Sequence, residues 1–380
     1  MPRPGWWLRR GWSAAREGST VFVAWRDLRR ARGRFALIGS VVALITVLVG
    51  FLAGLTGGLA AQNVSAVLAL PGDRIVLEER VDGRPSFTTS VIDHTGIDAW
   101  RTARGVQQVT PVGIVQGRAA QASSSSAVPV AFLGLPVGSP TSPVADLVPD
   151  REDDVGLSAQ AAIDLGVAVG DTVTINAGSY RVAAIGADLW YSHTPVIVLA
   201  PTTWADVDRS LGGNGSATLL AVTGSPDWDG VAASTHTSVS TPLMSLTALE
   251  TFQSEIGSLG LMIAMLFGVS ALVVGAFFTV WTMQRAGDIA VLKALGASTS
   301  SLIRDALGQS LVVLAAGIGV GLAVVVGLGV ALDGTLPFLL SPLTTLAPAL
   351  AMTVLGLAGG AVALRTVTAT DPLTALGSIR

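Results

Sequence analysis

Four long stretches of the chain carry no charged residue, and their order along the chain is uneven: Phe35–Gly72, Ile256–Gln284, Ala306–Leu332 and Gly334–Leu364. Each contains an apolar run of at least about 20 residues, the length that a helix rising about 1.5 Å per residue needs to cross a hydrocarbon core about 30 Å thick. The segment between the first two stretches has an ordinary soluble composition. The pattern predicts an α-helical membrane protein with four transmembrane helices and a mixed α/β extracellular domain between helices 1 and 2.

The predicted boundaries follow the charges and the apolar runs. In chain order they are a cytoplasmic basic N-terminal helix (1–34), TM1 (35–61), an extracytoplasmic α/β domain with a stalk (62–255), TM2 (256–284), a cytoplasmic loop with a short coupling helix (285–305), TM3 (306–332), a short outer loop (333–341), TM4 (342–364) and a cytoplasmic tail (365–380).

Charge predicts which way the spans face. The segments 1–34, 285–305 and 365–380 together carry 14 basic and 5 acidic residues, whereas 62–255 carries 9 arginines and 20 acids. Positive residues collect on the cytoplasmic side of spans. We therefore expect both termini in the cytoplasm, the acidic domain outside, and a multi-pass protein of the cell membrane.

The first apolar stretch could also be a signal peptide cleaved after Leu59-Ala60-Ala61. Signal h-regions run only about 7–15 residues, however, and this one is longer, so we interpret it as an anchor. The chain has no cysteine, so the outer domain has no disulfides and must be stabilised by its own core.

Short β-rich runs and two helical patterns predict a mixed α/β outer domain. The strands are expected at Arg74–Glu78, Ala127–Leu133, Thr172–Ile175, Tyr180–Ile185 and Val196–Leu199, the helices at Ser158–Leu165 and Thr202–Asp208, and loops at Ala122–Ala127 and Gly138–Pro143. Ser245–Ile256 places Leu246, Leu249, Phe252 and Ile256 on one helical face and runs into TM2, which predicts a helical stalk.

Motif spacing argues against an enzyme. The only lysine, Lys293, lies in Leu-Lys-Ala and not in a Gly-Lys-Ser/Thr loop, so the chain has no Walker A site of its own. His94, His193 and His236 lack metal-ligand spacing, and neither a Gly-x-Ser-x-Gly elbow nor a cysteine nucleophile is present. The spans carry no Asp, Glu, Lys or Arg of a proton or ion path. Their most polar groups are expected to form helix-to-helix hydrogen bonds: Ser270, Thr279, Gln284 and Gln309.

The cytoplasmic loop carries the most specific motif. Arg285 is followed by Asp288-Ile-Ala-Val-Leu-Lys-Ala-Leu-Gly-Ala-Ser298, an amphipathic helix that Gly296 can terminate. The motif resembles the MacB/FtsX-type permeases of ABC transporters, with Asp288 where Glu is commoner. The basic segment Ala24–Arg34, the closing Asp371–Leu376 and the outer-domain segments Gly156–Gly166, Val169–Val173, Tyr180–Gly186 and Val196–Leu199 are similar to that family as well.

The resemblance implies a permease that works with a separate cytoplasmic ABC ATPase dimer and itself forms a homodimer in the lipid bilayer. ATP would act only through the partner subunit, no cofactor would be intrinsic, and no nucleic acid would bind. The coupling helix would contact the ATPase through six residues: Asp288, Ile289, Leu292, Lys293, Leu295 and Gly296. ATP-driven motion would then bend TM1 and TM2 and reach the outer domain, which is mechanotransmission.

Glycines at four-residue spacing suggest where helices approach closely. Gly50, Gly54 and Gly58 on TM1 form a small-xxx-small pattern, which predicts a dimer interface, and Gly317 with Gly321 forms a similar pair on TM3.

The segment Gly54–Pro71 resembles the haem-exporter (HrtB-like) branch of the family. Haem iron takes His, Met, Tyr, Cys or carboxylate ligands. The candidates near the outer leaflet are Met244, Glu250, Glu255, Met262 and Met265, and Tyr180, Tyr191 and His193 lie further out, the last two expected on a loop. Taken singly, either carboxylate is better explained as a solvated stalk residue.

Three functional hypotheses remain. The first is an efflux permease for a hydrophobic or amphipathic molecule such as haem, which would bind between the outer halves of TM1 and TM2. The second is a non-transporting FtsX-like signalling permease that relays ATPase motion to an extracellular partner. The third is a membrane-anchored enzyme, which the missing motifs disfavour.

Overall fold

The computed structural model describes residues 32–79, 84–123, 126–284, 287, 291, 296, 298–332 and 334–368. The chain separates into two compact units, Gly58–Leu259 and the remainder, Met1–Gly57 with Gly260–Arg380. The elements in chain order are α1 (Arg32–Leu68), β1 (Arg74–Glu78), α2 (His94–Thr102), β2 (Val106–Gln121), β3 (Ala127–Gly134), β4 (Asp154–Ser158), α3 (Ala159–Leu165), β5 (Thr172–Ile175), β6 (Gly178–Gly186), β7 (Trp190–Tyr191), β8 (Thr194–Leu199), α4 (Pro201–Ser210), β9 (Leu219–Gly224), α5 (Trp228–Thr235), β10 (Thr237–Ser240), α6 (Pro242–Ser245), α7 (Glu250–Gln284), α8 (Thr299–Ala331) and α9 (Pro342–Thr368).

Four helices in the described part of the chain are long and apolar enough to cross a membrane, which confirms the predicted fold class. The candidate spans are Ala36–Leu68, Glu250–Phe277, Leu307–Ala331 and Pro342–Val362. The first helix extends beyond the predicted end of TM1 at Ala61, because the apolar, small-residue pattern runs on to Leu68.

Within the membrane unit, small residues let α1 and α8 approach closely. A Cβ on Gly317 would lie 2.8 Å from the carbonyl oxygen of Gly39, and one on Gly321 would lie 2.8 Å from that of Ala43. Neither position admits a side chain without moving α1. Gly317 and Gly321 therefore serve contacts between helices of one chain.

Two polar residues of the second span differ from expectation. The hydroxyls of Ser270 and Thr279 donate to the carbonyl oxygens of Leu266 and Gly275 in their own helix. A serine or threonine hydroxyl can donate to the carbonyl oxygen four residues earlier in its own helix, so it needs no partner on another helix. The prediction that these two bond to other helices was therefore wrong.

The α/β domain begins with a split βαβ lobe. Strands β10, β1, β9 and β2 lie in that order, each antiparallel to its neighbour, so that β1–α2–β2 and β9–α5–β10 interleave in the ferredoxin-like manner. One face of this sheet packs on α2 and α5 through Val76, Trp100 and Leu220. The other face packs on the end of α1 and on Leu246 and Leu249.

The second lobe is a closed six-stranded barrel. The order β2, β3, β8, β4, β6, β5 returns to β2 through the pairing of Ala119–Gln121 with Val173–Ile175. Phe132, Leu157, Val182 and Ile197 are buried in its apolar core. Strand β2 belongs to both lobes, because its first half pairs with β9 and its second half with β3 and β5.

Local sequence explains several elements. β1 and β5 have their predicted bounds, and Ser158 caps α3 as predicted, because its hydroxyl accepts from the amide of Ala161. The predicted stalk helix begins too early in the sequence: it was expected from Ser245, but α7 begins at Glu250. A 3₁₀ turn at Leu246–Ala248 and an extended Leu249 precede α7, because burying Leu246 and Leu249 against the sheet breaks the helical path.

Candidate functional site

A two-residue turn between β7 and β8 contacts the C-terminal end of α1. Ser192 and His193 both have positive φ, 48° and 63°, as a tight hairpin requires and as few non-glycine residues adopt. Their backbone amides donate to the carbonyl oxygens of Asn63 and Gln62 at 2.9 and 3.0 Å. The Ser65 hydroxyl accepts from the amide of Trp190 at 2.9 Å. These bonds hold the strained turn against the helix.

Asn63 joins α1 to the beginning of α7. Its side chain is fully buried. Its amide nitrogen donates to Glu255 Oε2 at 3.2 Å, and its amide oxygen accepts from the Thr251 hydroxyl at 3.2 Å. Both partners lie on one face of α7, four residues apart. A buried amide satisfied on both sides fixes the relative position of the two helices at this level.

His193 completes the cluster. Its Nε2 lies 2.8 Å from Glu255 Oε1, so the two carboxylate oxygens take one partner each. An ionised carboxylate only accepts hydrogen bonds, so Nε2 carries the proton. The 3.5 Å separation between His193 Nε2 and Asn63 Nδ2 then joins two donors and is a contact without a hydrogen bond. We call Asn63, His193, Thr251 and Glu255 the polar clamp.

The clamp was not predicted as a unit. His193 lies on a loop as expected, but Asn63 had been noted only as part of the segment Gly54–Pro71. An asparagine and a histidine far apart in sequence give no spacing signal. The one available indication was a polar pair, Gln62-Asn63, inside an otherwise apolar helix.

Both tyrosines pack against hydrophobic cores. Tyr191 is buried against Phe87, with ring centroids 6.4 Å apart, and burial raises the pKa of its hydroxyl. The expectation that Tyr191 lies on a loop was therefore wrong, because Tyr191 belongs to strand β7 and its ring fills the core beneath the hairpin. Tyr180 packs at the barrel core, and burial raises its pKa as well.

Of the predicted haem ligands, Glu255 is the one that the structure engages most. Met244 is 60% exposed on α6, Met262 is 50% exposed on α7, and Glu250 is an exposed residue at the start of α7. Within the described residues, no group of three or more His, Cys, Asp or Glu could hold a metal ion.

Two of the three glycines predicted for a dimer interface face other residues of this chain. A Cβ on Gly50 would lie 2.9 Å from Val325, and one on Gly54 would overlap the Phe338 ring. Gly58 is buried. A role of these positions in dimerisation stays a prediction.

The coupling residues Asp288, Ile289, Leu292, Lys293 and Leu295 lie outside the described residues. Gly296 has a φ of 90°, which suits the predicted helix-terminating glycine.

Comparison with known proteins places the chain in a class. Residues 260–372 match the family model of the FtsX-like permease C-terminal domain. The chain is 24% identical to the putative hemin transport system permease protein HrtB of Staphylococcus haemolyticus, over 94% of this chain and 99% of that protein. It is 26% identical to an uncharacterized ABC transporter permease of Mycobacterium tuberculosis, with the same coverage. The periplasmic region of MacB from Actinobacillus actinomycetemcomitans aligns with 47% of this chain and 92% of its own, at 12% identity and a TM-score of 0.34.

Four candidate spans, an α/β domain between the first two, and the match over the last three spans define a permease subunit of an ABC transporter. The chain is an ABC permease with an FtsX-like C-terminal domain, and it is similar to HrtB over 94% of its length. Permeases of this class lie in the membrane and work with a partner ATPase.

Proposed function

We propose that the chain is the permease of an efflux system that exports a hydrophobic or amphipathic molecule, and that this molecule is haem. The observation that carries the proposal is the likeness to hemin transport permeases over 94% of the chain. Haem is flat and largely apolar with two propionates, so it partitions into bilayers. The four charge-free apolar stretches of the sequence suit such a substrate better than they suit an ion.

The polar clamp supports transmission of motion to the α/β domain. Its hydrogen bonds tie the end of α1, the beginning of α7 and the β7–β8 hairpin together. The hairpin continues directly into β8, a strand of the barrel. A displacement of either helix therefore has a hydrogen-bonded route into a β-sheet, whose backbone ladder is stiff.

The remaining parts of the proposal follow the family resemblance. Two copies of the chain form a homodimer above an ATPase dimer, both termini are cytoplasmic, and the loop around Leu292 and Leu295 docks on the ATPase. An amphipathic helix with an apolar face suits a groove in a partner. Haem binds from the outer leaflet, with Met244, Glu250 and Met262 as exposed ligand candidates. Glu255 would have to leave His193 and Asn63 to serve.

Two measurements test this proposal: growth of a strain on haemin, and haem binding to the purified protein followed by absorption spectroscopy. A strain lacking the permease gene should regain growth on haemin when this chain is supplied with its ATPase, and the purified protein should shift the haem Soret band. Met244→Ala and Glu250→Ala should weaken that shift. Met283→Ala, an exposed methionine near the other end of α7, is the matched control. An unshifted band and unchanged haem sensitivity would leave the signalling permease as the better hypothesis.

A further inference from the structure

A cleft of about 550 Å³ lies between the two lobes of the α/β domain, and nothing in the transport proposal uses it. Its walls are one face of α2, with His94, Ile97 and Arg101, and one face of α4, with Thr202, Asp206 and Arg209. The volume falls within the range of about 300–1,000 Å³ that small-molecule sites occupy, and such sites favour the junction of two lobes.

The floor of the cleft is apolar and rigid. The indole of Trp204 lies over Gly113 and Gly134 on neighbouring strands, where any Cβ would overlap the ring, and its Nε1 donates to the carbonyl oxygen of Phe132 at 3.2 Å. Pro111 and Pro136 lie beside it. Trp204 is only 4% exposed, so a small part of its indole, together with Pro111 and Pro136, gives the floor its apolar surface.

The two walls each present one guanidinium group. Arg101 is bonded to Asp98, and Arg209 to Asp206, in each case three residues back on the same helix. All four side chains are more than half exposed, and exposed pairs of this kind are weak. Either arginine can therefore exchange its aspartate for a ligand carboxylate, which it binds through two parallel hydrogen bonds.

His94 adds a possible metal ligand at the first residue of α2. It is exposed and lies in the same cleft as both arginines. Imidazole is a common axial ligand of haem iron. The cleft thus combines an apolar aromatic floor, one cation on each wall and one imidazole.

We propose that this cleft binds a planar amphipathic dicarboxylate of tetrapyrrole size, as a second substrate site outside the membrane. The apolar body lies on the floor formed by Pro111, Pro136 and the exposed part of Trp204, and the two carboxylates bind Arg101 and Arg209. This rests on the proposed function, in which haem is the molecule exported, and it gives the substrate a place after it leaves the lipid.

The experiment uses the full chain in lipid nanodiscs, titrated with haemin, with protoporphyrin IX and with haemin dimethyl ester. Arg101→Ala with Arg209→Ala should weaken binding of the two free acids at one site by roughly tenfold, since two charge-assisted pairs are lost, and should leave the ester unaffected. Arg104→Ala with Arg151→Ala, two exposed arginines outside the cleft, is the matched control. Ser216→Trp, at the rim, should abolish the same site.

His94→Ala should weaken binding of haemin but not of iron-free protoporphyrin IX. Unfolding temperatures equal to wild type would show that the variants fold. Unchanged binding in Ser216→Trp and in the double arginine variant would overturn the cleft site. Haem tolerance in the strain would still support the proposed export function in that case. Cleft binding without tolerance would support the site and reject export, and a wild-type chain that neither binds haemin nor confers tolerance would reject both.

Discussion

The imidazole of His193 and the carboxylate of Glu255 stand 62 residues apart in the sequence and 2.8 Å apart in the structure. One belongs to the hairpin of the α/β domain and the other to the helix that continues as the second candidate span. Because Asn63 holds the second oxygen of the same carboxylate, Glu255 joins three segments of the chain at one side chain.

Replacing Glu255 with Gln should reduce transport several-fold while the ATPase activity of the complex persists. The side chains of His193 and Glu255 are about one-third exposed, so the weakened contact between them should cost at most about 1 kcal/mol of stability. The measurement compares haem efflux with ATP turnover in proteoliposomes. Glu79→Gln, an exposed carboxylate after β1, is the control. Equal losses of transport and ATP turnover would contradict a coupling role.

Gly54→Ala should destabilise the membrane unit by about 1–3 kcal/mol, because the new methyl group overlaps the ring of Phe338. Gly39→Ala on the same helix meets no atom within 4 Å, and it should be neutral or stabilising by up to about 1 kcal/mol. Thermal unfolding in detergent measures both. If Gly54→Ala instead alters only the oligomeric state, the dimer-interface prediction gains support over packing within the chain.

Leu292→Asp with Leu295→Asp should abolish co-purification with the ATPase while the permease still reaches the membrane, since a charge buried in an apolar contact costs several kcal/mol. Ala294→Asp, on the opposite side by the helical period, should retain the complex. ATP hydrolysis should appear only in preparations that contain the ATPase subunit. ATP hydrolysis by the permease alone would contradict the prediction that the chain has no ATPase site of its own.

The α/β domain should lose stability in acid through Asp154. The hydrogen bonds from Arg181, at 2.8 and 3.0 Å, lower the pKa of this nearly buried carboxyl below its usual value. A depressed folded-state pKa gives stability that is present above about pH 4, the unfolded value, and lost as the pH falls through the folded one. Denaturant unfolding across that range should show a smaller acid loss in Asp154→Asn than in wild type. Asp229→Asn, exposed on α5, should keep the wild-type acid dependence.

The sequence predicted what depends on composition and local pattern. The four spans and the strands β1 and β5 required only runs of apolar or β-branched residues with clear breakers on either side. Strand β2 was missed, because Gln107, Gln108 and Pro111 hide its alternation and its partners lie far away in the chain. Its pairing is decided by the closing of the sheet, which no local window contains.

The polar clamp and the cleft were beyond local pattern for the same reason. Asn63 is informative only once His193 and Glu255 lie beside it, and Arg101 and Arg209 read as ordinary solvated arginines until α2 and α4 face one space. The glycine pairs were visible as spacing, but their partner helix was not: Gly317 and Gly321 meet α1 of the same chain.

Strand β2, from Val106 to Gln121, is shared by the sheets of both lobes of the α/β domain. The two lobes cannot rotate relative to each other as if joined by a flexible linker, because such a rotation would break the hydrogen bonds between strands on both sides of Val112 and Gly113. A molecule entering the cleft would therefore meet a preformed site whose shape does not adapt to it. Selectivity in the cleft would come from its shape and from the placement of its charges. Release of the ligand would depend on its dissociation from this fixed site, because no movement of the lobes would open the cleft.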